Sequence, residues 1–417
     1  MNSEQILKVN SKDTLRDAFN VESLGQVFTP KSIAKFMSEL RTTSGVALEP
    51  SCGNGVFLEY LPKFKALEID ASHAPSDAII LDFFKLSTSE KFECVIGNPP
   101  YVRYQDISEE TKMLLDESFF DKRSNLYLFF IEKSIRHLTD QGELIFIVPR
   151  EFIKSTASKI LNERIFESGT ITHMIDFGDS KIFTNAVPNC VVFRFEKGNF
   201  TRKTKVAEIS MKSQFDTEPL DHIVWKTAEF KCLKGQLLFI TGDYPIHLYE
   251  IASVKVGAVS GADHIFSSEQ FGNLDFVYSG TVKDGSVRRM YWPVDSEHAK
   301  STLSEYKEEL ISRGIRKFTE SDWWNWGRGF PQNSLKRIYV NSKTRNSKPF
   351  FVSDCNNFDG SVLAIFPTNQ EIDLTEFCDA LNSVDWQELG FQCDGRFIFA
   401  QRSLENSPLP KNFTKYF

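Results

Sequence analysis

The sequence lacks several features that define large classes of proteins. None of its apolar runs approaches the roughly 18 residues that span a bilayer, so no membrane partner is expected. Its seven cysteines form no C-x-x-C pair and its seven histidines form no H-E-x-x-H motif, which argues against a disulfide scaffold and against a metal site. The start of the chain is polar and carries an acid. It therefore predicts neither a secretory signal nor a transit peptide, and we expect a cytoplasmic protein.

The chain also has no overall excess of basic charge. It contains 49 Lys and Arg residues and 56 Asp and Glu residues, which gives a net charge of −7. One segment, residues 313–348, departs from this mean, with nine basic residues and only two acidic ones. Electrostatic attraction is local, since salt screens it beyond about 8 Å, so such a segment can still attract phosphates. On charge alone it is more typical of a solvated surface.

Short apolar runs alternate with helical patterns over the first two hundred residues, which is typical of a βαβ sheet. Helices are predicted over Thr29–Leu40, with Thr29 as N-cap and Pro30 as first helical residue, and over Asn125–Leu138. The predicted strands are Gly45–Leu48, Phe64–Ile69, Ala78–Leu81, Phe92–Ile96, Glu143–Val148, Ile171–Phe177 and Val187–Phe195. We therefore predict an α/β fold with a doubly wound, Rossmann-like sheet.

The sequence pattern changes after about residue 235. Trp, Tyr, Gly and Asn become frequent there, and short alternating runs replace the helical periodicity. We predict two domains: residues 1–238 contain the doubly wound sheet, and residues 239–417 form a mixed α+β domain.

A glycine turn follows the first predicted strand. Residues 47–55, with the sequence ALEPSCGNG, form an apolar strand that ends at an acid and then passes through two glycines into a predicted helix. Glycine lets the backbone turn tightly and approach a ligand, and the adjacent carboxylate can hold a cationic or hydroxylated group. The turn is neither G-x-G-x-x-G nor a P-loop. Taken alone, it fits a plain strand-to-helix turn as well as it fits a ligand site.

Acidic residues close the next two predicted strands, at Glu68 and at Asp82. Acids at the carboxyl ends of adjacent parallel strands face the same crevice of a doubly wound sheet. Glu68 is placed to accept hydrogen bonds from ribose hydroxyls, and Asp82 with Phe83 could bind and flank an adenine. Since no phosphate cradle is present, the pattern favours a nucleoside without phosphates. S-adenosylmethionine (AdoMet) fits that description.

An Asn-Pro-Pro-Tyr segment, from Asn98 to Tyr101, ends the fourth predicted strand. Prolines fix the backbone and cannot donate hydrogen bonds, so nearby carbonyls stay free to accept. The Asn98 side-chain oxygen and the Pro99 carbonyl can accept from an exocyclic amine on a planar ring, and Tyr101 offers a flat face to that ring. Both hydrogen bonds draw the amine lone pair out of conjugation, toward a methyl donor. A rigid surface turn explains this segment poorly, and we interpret it as catalytic.

Together these segments resemble the AdoMet-dependent DNA amino-methyltransferases of the gamma class, most nearly the TaqI-like N6-adenine enzymes. In that family a motif similar to residues 26–30 (QVFTP) comes first, the E-P-x-C-G-x-G turn and N-P-P-Y follow, and a target-recognition domain comes last. The same order is found here, over nearly the whole length. The resemblance implies that 1–238 is the catalytic domain and 239–417 the target-recognition domain. It also implies AdoMet as cofactor and double-stranded DNA as substrate.

The resemblance further implies roles for individual residues. The residues expected at the cofactor are Thr29, Glu49, Pro50, Ser51, Cys52, Glu68, Asp82, Phe83 and Pro100. Catalysis is expected from Asn98, Pro99 and Tyr101, with Phe183 as a second aromatic that sandwiches the target base against Tyr101. Flipping an adenine out of a duplex costs a few kcal/mol, which stacking worth about 1–3 kcal/mol per base offsets. No catalytic His is expected, because the amine loses its proton only after it has become cationic.

Predictions for the second domain are broader. Residues 256–264 resemble a Gly-spaced segment of target-recognition domains, and 395–397 and 401–404 also resemble family segments. Most tryptophans near residue 324 are expected in the core, while Arg and Lys side chains of 313–348 are candidates to contact phosphates or guanine edges. Residues 103–123 have no firm match in the family, and we favour a variable connection over a mobile edge of the active site.

Other functions stay open at this point. Cytosine N4 methylation uses the same chemistry, although that class more often carries Ser or Asp before Pro-Pro. A protein glutamine N5 methyltransferase also uses N-P-P-Y, but it is smaller. A DNA-specificity subunit with an inactive cofactor fold is disfavoured by intact Glu49, Asn98 and Tyr101. We expect a monomeric methyltransferase, either solitary or the modification half of a restriction system whose endonuclease need not bind it.

Overall fold

The computed structural model describes residues 28–118, 120, 124–178, 189–209, 223–393 and 395–417. The chain divides into two compact units, Met1–Thr241 and Gly242–Phe417. Within these described ranges, no helix combines the length and the apolar character that a membrane crossing requires. Within the same ranges, no group of three or more His, Cys, Asp or Glu side chains could hold a metal ion.

The first unit is built on one ten-stranded sheet. Its strands are β1 (Ala47–Glu49), β2 (Phe64–Glu68), β3 (Ala78–Ile80), β4 (Phe92–Gly97), β5 (Leu138–Pro149), β6 (Gly169–Asp176), β7 (Cys190–Lys197), β8 (Lys203–Glu208), β9 (Lys226–Leu233) and β10 (Gln236–Ile240). They lie in the order β10-β9-β8-β6-β7-β5-β4-β1-β2-β3. Strands β3, β2, β1, β4 and β5 are parallel, while β7 is inserted antiparallel between β5 and β6. Strand β10 straddles the predicted domain boundary at 238, and the unit ends just after it.

Helices cover both faces of this sheet. They are α1 (Lys31–Glu39), α2 (Glu109–Lys112), α3 (Leu126–His137) and α4 (Lys159–Ser168). Side chains alternate along β5, so that Leu144 and Phe146 pack in one apolar cluster with α3 and α4, whereas Ile145 packs in a second cluster with α1. Burial on both faces explains why β5 and β7, in the middle of the sheet, carry nearly continuous apolar runs. The predicted α/β, doubly wound fold is confirmed.

Two local predictions are wrong. Thr29 does not cap α1, because the helix begins at Lys31 with Pro30 in the N-cap position and without a side-chain cap. The glycine turn leads only into a single 3₁₀ turn, Leu58–Tyr60, instead of an α-helix. Only residues 56–63 separate the glycine turn from β2, which is too few for an α-helix and a connection. Pro62, one of these residues, has no N–H to continue a helix.

A buried ion pair joins β5 to β7. Arg194 Nε donates to Glu143 Oε2 at 2.7 Å, and only 5% of the Arg194 side chain and 1% of the Glu143 side chain are exposed. The amides of Thr42 and Thr43 each donate to Glu143 Oε1 at 2.9 Å. Burial alone would raise the pKa of Glu143, but the hydrogen bonds from Thr43 and the Arg194 guanidinium lower it below its ordinary value. Protein donors therefore take the place of water around the buried Glu143 carboxylate.

The second unit is mixed α+β. Its strands are β11 (Ile246–His247), β12 (Ala252–Val256), β13 (Leu274–Phe276), β14 (Arg288–Met290), β15 (Ile338–Asn341), β16 (Lys343–Thr344), β17 (Phe350–Phe351), β18 (Val362–Pro367), β19 (Gln392–Cys393), β20 (Arg396–Ile398) and β21 (Pro408–Leu409). Its helices are α5 (Leu248–Ile251), α6 (Asp263–Phe266), α7 (Thr281–Asp284), α8 (Ser296–Thr302), α9 (Lys307–Ile311), α10 (Leu374–Asn382) and α11 (Gln401–Glu405). The largest sheet of the unit is four-stranded and antiparallel, in the order β12-β18-β15-β17.

Candidate active site

A cavity of about 360 Å³ lies at the carboxyl ends of β1 to β4. The predicted site residues that line it are Pro50, Ser51, Glu68, Asp82, Phe83, Asn98, Pro99 and Pro100. Four separate stretches of sequence meet here because the carboxyl ends of parallel strands share one edge of the sheet. The volume lies within the range of about 300–1,000 Å³ that is common for small-molecule sites.

Three backbone amides hold the carboxylate of Glu68 in the cavity wall. Glu68 Oε2 accepts from the amide of Gly53 at 2.7 Å, and Oε1 accepts from the amides of Ile69 and Asp70 at 2.9 and 3.0 Å. Gly53 has a φ of +51°, a left-handed conformation that glycine adopts without strain. Since a carboxylate has about four acceptor sites, Glu68 keeps capacity for a hydroxyl of a ligand.

Asp82 and Phe83 form the wall at the end of β3. Asp82 Oδ1 accepts from the amide of Phe84 at 2.8 Å and so caps a 3₁₀ turn, Phe83–Lys85. The buried Phe83 ring lies 5.0 Å from the ring of Phe130 of α3, measured between centroids, and all four residues Asp82, Phe83, Phe84 and Phe130 line the cavity. Lys133 of α3 supports the turn from behind, donating to the Phe84 carbonyl at 2.6 Å. An anionic acceptor therefore stands at the edge of an apolar, aromatic wall.

The segment 103–123, for which a variable connection is favoured over an edge of the active site, contributes to the same wall. Its residues that line the cavity are Asp106, Ile107, Ser108 and Thr111, and Val102 lines it just before them. Thr111 Oγ1 donates to Asp82 Oδ2 at 2.8 Å. The Ser108-x-x-Thr111 pattern, in which the Ser108 side chain caps α2, is the one signal in the sequence that could have indicated an ordered turn.

Glu49 adjoins the cavity wall without lining it. The side chain is fully buried, and neither carboxyl oxygen makes a hydrogen bond of normal geometry within the described part of the chain. It lies against the backbone of β4 at Gly97, where an added Cβ would come within 2.2 Å of Glu49 Oε1. Burial raises the pKa of Glu49 well above its ordinary value; the Ser51 amide partly opposes this, and the charge of Glu68 adds to it.

Asn98 is oriented by residues from two other segments. Its Nδ2 donates to Thr29 Oγ1 at 3.2 Å, and its backbone carbonyl accepts from Ser51 Oγ at 3.4 Å. Thr29 therefore contacts the Asn98 amide group instead of capping α1. This contact turns the amide oxygen away from Thr29.

Tyr101 is fixed at its hydroxyl. Tyr101 Oη donates to the carbonyl of Ile147 on β5 at 3.0 Å, and the ring packs edge-on to Tyr127 with centroids 6.0 Å apart. Burial raises the pKa of Tyr101 well above its ordinary value, so the hydroxyl stays a donor. Tyr101 is not among the residues that line the cavity, although it follows Pro100 directly. Phe183, its predicted partner, lies outside the described residues.

Cys52 ties the glycine turn to β2. Its amide donates to the Leu67 carbonyl at 2.8 Å, and the buried thiol does not line the cavity. Burial raises the pKa of the thiol to about 12, with the charges of Glu49 and Glu68 adding to the effect. Cys52 is thus placed to support the turn, and a direct contact with a ligand stays a prediction.

Replacement of Glu49 by glutamine is expected to raise the stability of the first unit at alkaline pH relative to acidic pH. The folded state holds a proton on Glu49 that the unfolded state releases above a pKa of about 4.3, so the free energy of unfolding of the native chain falls as pH rises above this value. Glutamine does not titrate, so the free energy of unfolding of Glu49→Gln relative to that of the native chain should rise by up to about 1.4 kcal/mol per pH unit. Urea unfolding at pH 5 and pH 8 measures it.

Glu68→Gln is the matched control, because the Glu68 carboxylate accepts from three amides. That substitution should lower stability at both pH values. A difference between Glu49→Gln and the native chain that is the same at pH 5 and pH 8 would contradict the assigned protonation of Glu49.

Several side chains that the sequence analysis singled out in the second unit are buried in its interior. Trp323, Trp324 and Trp326 are all buried in one apolar cluster, as predicted for most of them. Arg313, predicted as a candidate for phosphate contact, is buried and donates to backbone carbonyls, including that of Trp323 at 2.6 Å. Arg337 is also buried and donates to the carbonyl of Asn356 at 2.8 Å. These two guanidinium groups satisfy carbonyls in the interior, so they are not available to phosphates.

An open sheet with a parallel half, whose carboxyl edge carries a glycine turn, two acids and an Asn-Pro-Pro-Tyr segment, is similar to the sheet expected for Rossmann-like methyltransferases. Residues 56–183 match the family model described as Eco57I restriction-modification methylase. The Type II methyltransferase M.HincII of Haemophilus influenzae is 35% identical over 214 residues, which cover 48% of this chain and 43% of that protein. The Type II methyltransferase M.TthHB8I of Thermus thermophilus is 31% identical over 198 residues, which cover 42% of this chain and 46% of that protein.

A solved structure extends the likeness in fold. The Type IIL restriction-modification enzyme MmeI, solved in complex with DNA, superposes with a TM-score of 0.58 at 12% sequence identity, covering 94% of this chain and 65% of that chain. At this identity the likeness concerns the fold alone. The matches to the curated relatives cover less than half of their length. The predicted resemblance to the DNA methyltransferases of restriction-modification systems is confirmed.

Proposed function

We propose that this chain is an AdoMet-dependent DNA methyltransferase, which transfers a methyl group to N6 of an adenine flipped out of duplex DNA. The observation that carries the proposal is the cavity at which Glu68, Asp82 and the Asn98-Pro99-Pro100 backbone meet. The similarity to Type II methyltransferases supports a role as the modification enzyme of a restriction-modification system. The monomeric state, the cytoplasmic location and a cognate endonuclease stay predictions within the same proposal.

The residues of the cavity fit AdoMet. The Glu68 carboxylate, with three amide donors and one acceptor site left, suits the ribose hydroxyls. Asp82 suits the adenine amine, and the apolar wall with Phe83 and Phe130 suits the flat face of the base. When bound, AdoMet supplies an electrophilic methyl group.

The chain itself binds and aligns the target amine. Thr29 orients the Asn98 amide, and the Pro100 ring fixes the backbone that carries the Pro99 carbonyl. In the proposed reaction the amine donates to the Asn98 oxygen and to the Pro99 carbonyl, while the Tyr101 ring, held at its hydroxyl by Ile147, stacks on the flipped base. Alignment supplies most of the rate gain of such an in-line displacement. The proton leaves the nitrogen after the transfer, so no strong base is required.

The decisive experiment incubates the purified full chain with AdoMet carrying a deuterated methyl group and with unmethylated duplex DNA, followed by digestion to nucleosides and mass spectrometry. Labelled N6-methyladenine is the expected product. N4-methylcytosine would keep the class of enzyme and overturn the base assignment. Measured AdoMet binding without any methylated nucleoside would favour a protein substrate, and the absence of AdoMet binding would overturn the whole proposal.

A further inference from the structure

A chain of hydrogen bonds runs from the segment between β4 and α3 to Asp82. Ser108 Oγ donates to Thr111 Oγ1 at 3.1 Å, and Thr111 Oγ1 donates to Asp82 Oδ2 at 2.8 Å. The Thr111 amide donates back to Ser108 Oγ at 3.2 Å. All three residues line the cavity, and only 7% of Thr111 is exposed. The Thr111 hydroxyl therefore directs its proton to Asp82 because Ser108 occupies its acceptor side.

Both oxygens of Asp82 are fixed by this arrangement. Oδ1 accepts from the amide of Phe84 at 2.8 Å, and Oδ2 accepts from Thr111. Each carboxylate oxygen has about two acceptor sites, so each keeps one for a ligand N–H. An ionised carboxylate accepts hydrogen bonds and cannot donate them. A rigidly held carboxylate at this position is thus attractive to an amine and repulsive to a carbonyl oxygen.

We propose that Thr111 is a positioning residue that makes Asp82 selective for the adenine amine of the cofactor against a 6-oxo purine. This inference rests on the proposed function and deepens it, since it names the group that sets the base specificity of the cofactor site. With the hydroxyl removed, Asp82 is held at one oxygen only and can rotate about its side-chain bonds. The rotated carboxylate then loses part of its preference for the adenine amine over the 6-oxo group.

The test measures the dissociation constants of S-adenosylhomocysteine and S-inosylhomocysteine by calorimetry, for the full chain and its variants. The native chain should prefer the adenine compound by at least about 100-fold, because a site built for a hydrogen-bond donor rejects an analogue that lacks it. Thr111→Val keeps the shape of the side chain and removes the hydroxyl. It should weaken binding of the adenine compound about tenfold and change binding of the inosine compound less than about twofold. The ratio of the two dissociation constants should therefore become smaller than in the native chain.

Two further variants keep the inference testable if Thr111→Val folds poorly. Thr111→Ser restores the hydroxyl and should restore the preference, and Ser108→Ala should narrow the preference in the same direction by a smaller factor. Thr204→Val is the matched control: Thr204 is a buried threonine on β8 whose hydroxyl donates to the Ile171 carbonyl, away from the cavity. It should leave the preference unchanged.

The possible outcomes separate this inference from the proposed function. A native chain that binds neither compound overturns the proposed function, and the inference falls with it. A native chain that binds S-adenosylhomocysteine without preference over the inosine compound overturns the role of Asp82 in selectivity, and thereby the inference. Native selectivity that persists in Thr111→Val, or an equal loss of affinity for both compounds, overturns the inference alone.

Discussion

Replacing Asn98 by alanine is expected to reduce methyl transfer by at least about 100-fold while AdoMet affinity changes only a few-fold. The loss follows because the side-chain oxygen is one of two acceptors proposed to hold the target amine, and removing one preorganised hydrogen-bond partner of a transition state typically costs 10²–10³ in rate. Single-turnover incorporation of labelled methyl into DNA measures the rate, and calorimetry measures the cofactor affinity.

The matched control is Asn369→Ala, the same substitution in a loop of the second unit, where the Asn369 side chain accepts from the Glu371 amide. This variant should retain native activity. Thr29→Val offers a graded comparison, because the Thr29 hydroxyl accepts a hydrogen bond from the Asn98 amide. It should lower the rate less than Asn98→Ala does. Methyl transfer at the native rate in Asn98→Ala would remove Asn98 from the mechanism.

Replacing Arg194 by methionine is expected to lower the free energy of unfolding of the first unit by about 3–5 kcal/mol. The variant leaves Glu143 buried without its cation, and breaking a buried ion pair from one side costs far more than the pair itself contributes. Urea unfolding followed by circular dichroism measures the loss. Lys31→Met removes one partner of an exposed pair with Glu59, 67% and 51% exposed, and should cost less than about 1 kcal/mol.

The penalty of Arg194→Met should also depend on pH. In the folded native chain the pKa of Glu143 is lowered below the value of about 4.3 that it has in the unfolded chain. The stability that the ionised Glu143 contributes is therefore present above about pH 4.3 and is lost as pH falls through the pKa of the folded state. Without Arg194, burial favours the protonated carboxyl. The difference in stability between the native chain and the variant should therefore shrink as pH is lowered from 7 toward 4. A penalty that is constant over this range would show that lost packing, rather than the unpaired charge, causes it.

The sheet and most of the cavity wall could be predicted because both depend on patterns that are local in sequence. Continuous apolar runs mark strands buried on both faces, and residues that follow such runs in a parallel sheet must gather at one edge. Glu68 and Asp82 are therefore predictable from their positions at strand ends alone. Their placement in one cavity follows from topology, without knowledge of any particular contact.

The remaining features depend on contacts between residues that are distant in sequence. Thr29 has the local signature of a helix cap, but its hydroxyl accepts from Asn98, 69 residues further along. Thr111 lies in a four-residue helix that is too short to show periodicity, and its partner Asp82 is 29 residues away. Arg313 counts as surface charge in a sequence, yet four backbone carbonyls of the second unit surround it. None of these contacts has a local pattern.

The position of β1 in the sheet has a consequence for synthesis on the ribosome. Strand β1 lies between β2 and β4, and its pairing with β4 joins Ala47 to Cys94. A nascent chain can add β2 and β3 on one side of β1 early, but the other side stays unpaired until Cys94 and Val95 have left the exit tunnel. Part of the cavity wall comes from Leu126 and Phe130, which emerge later still. The cavity wall is thus complete only after α3 has been made.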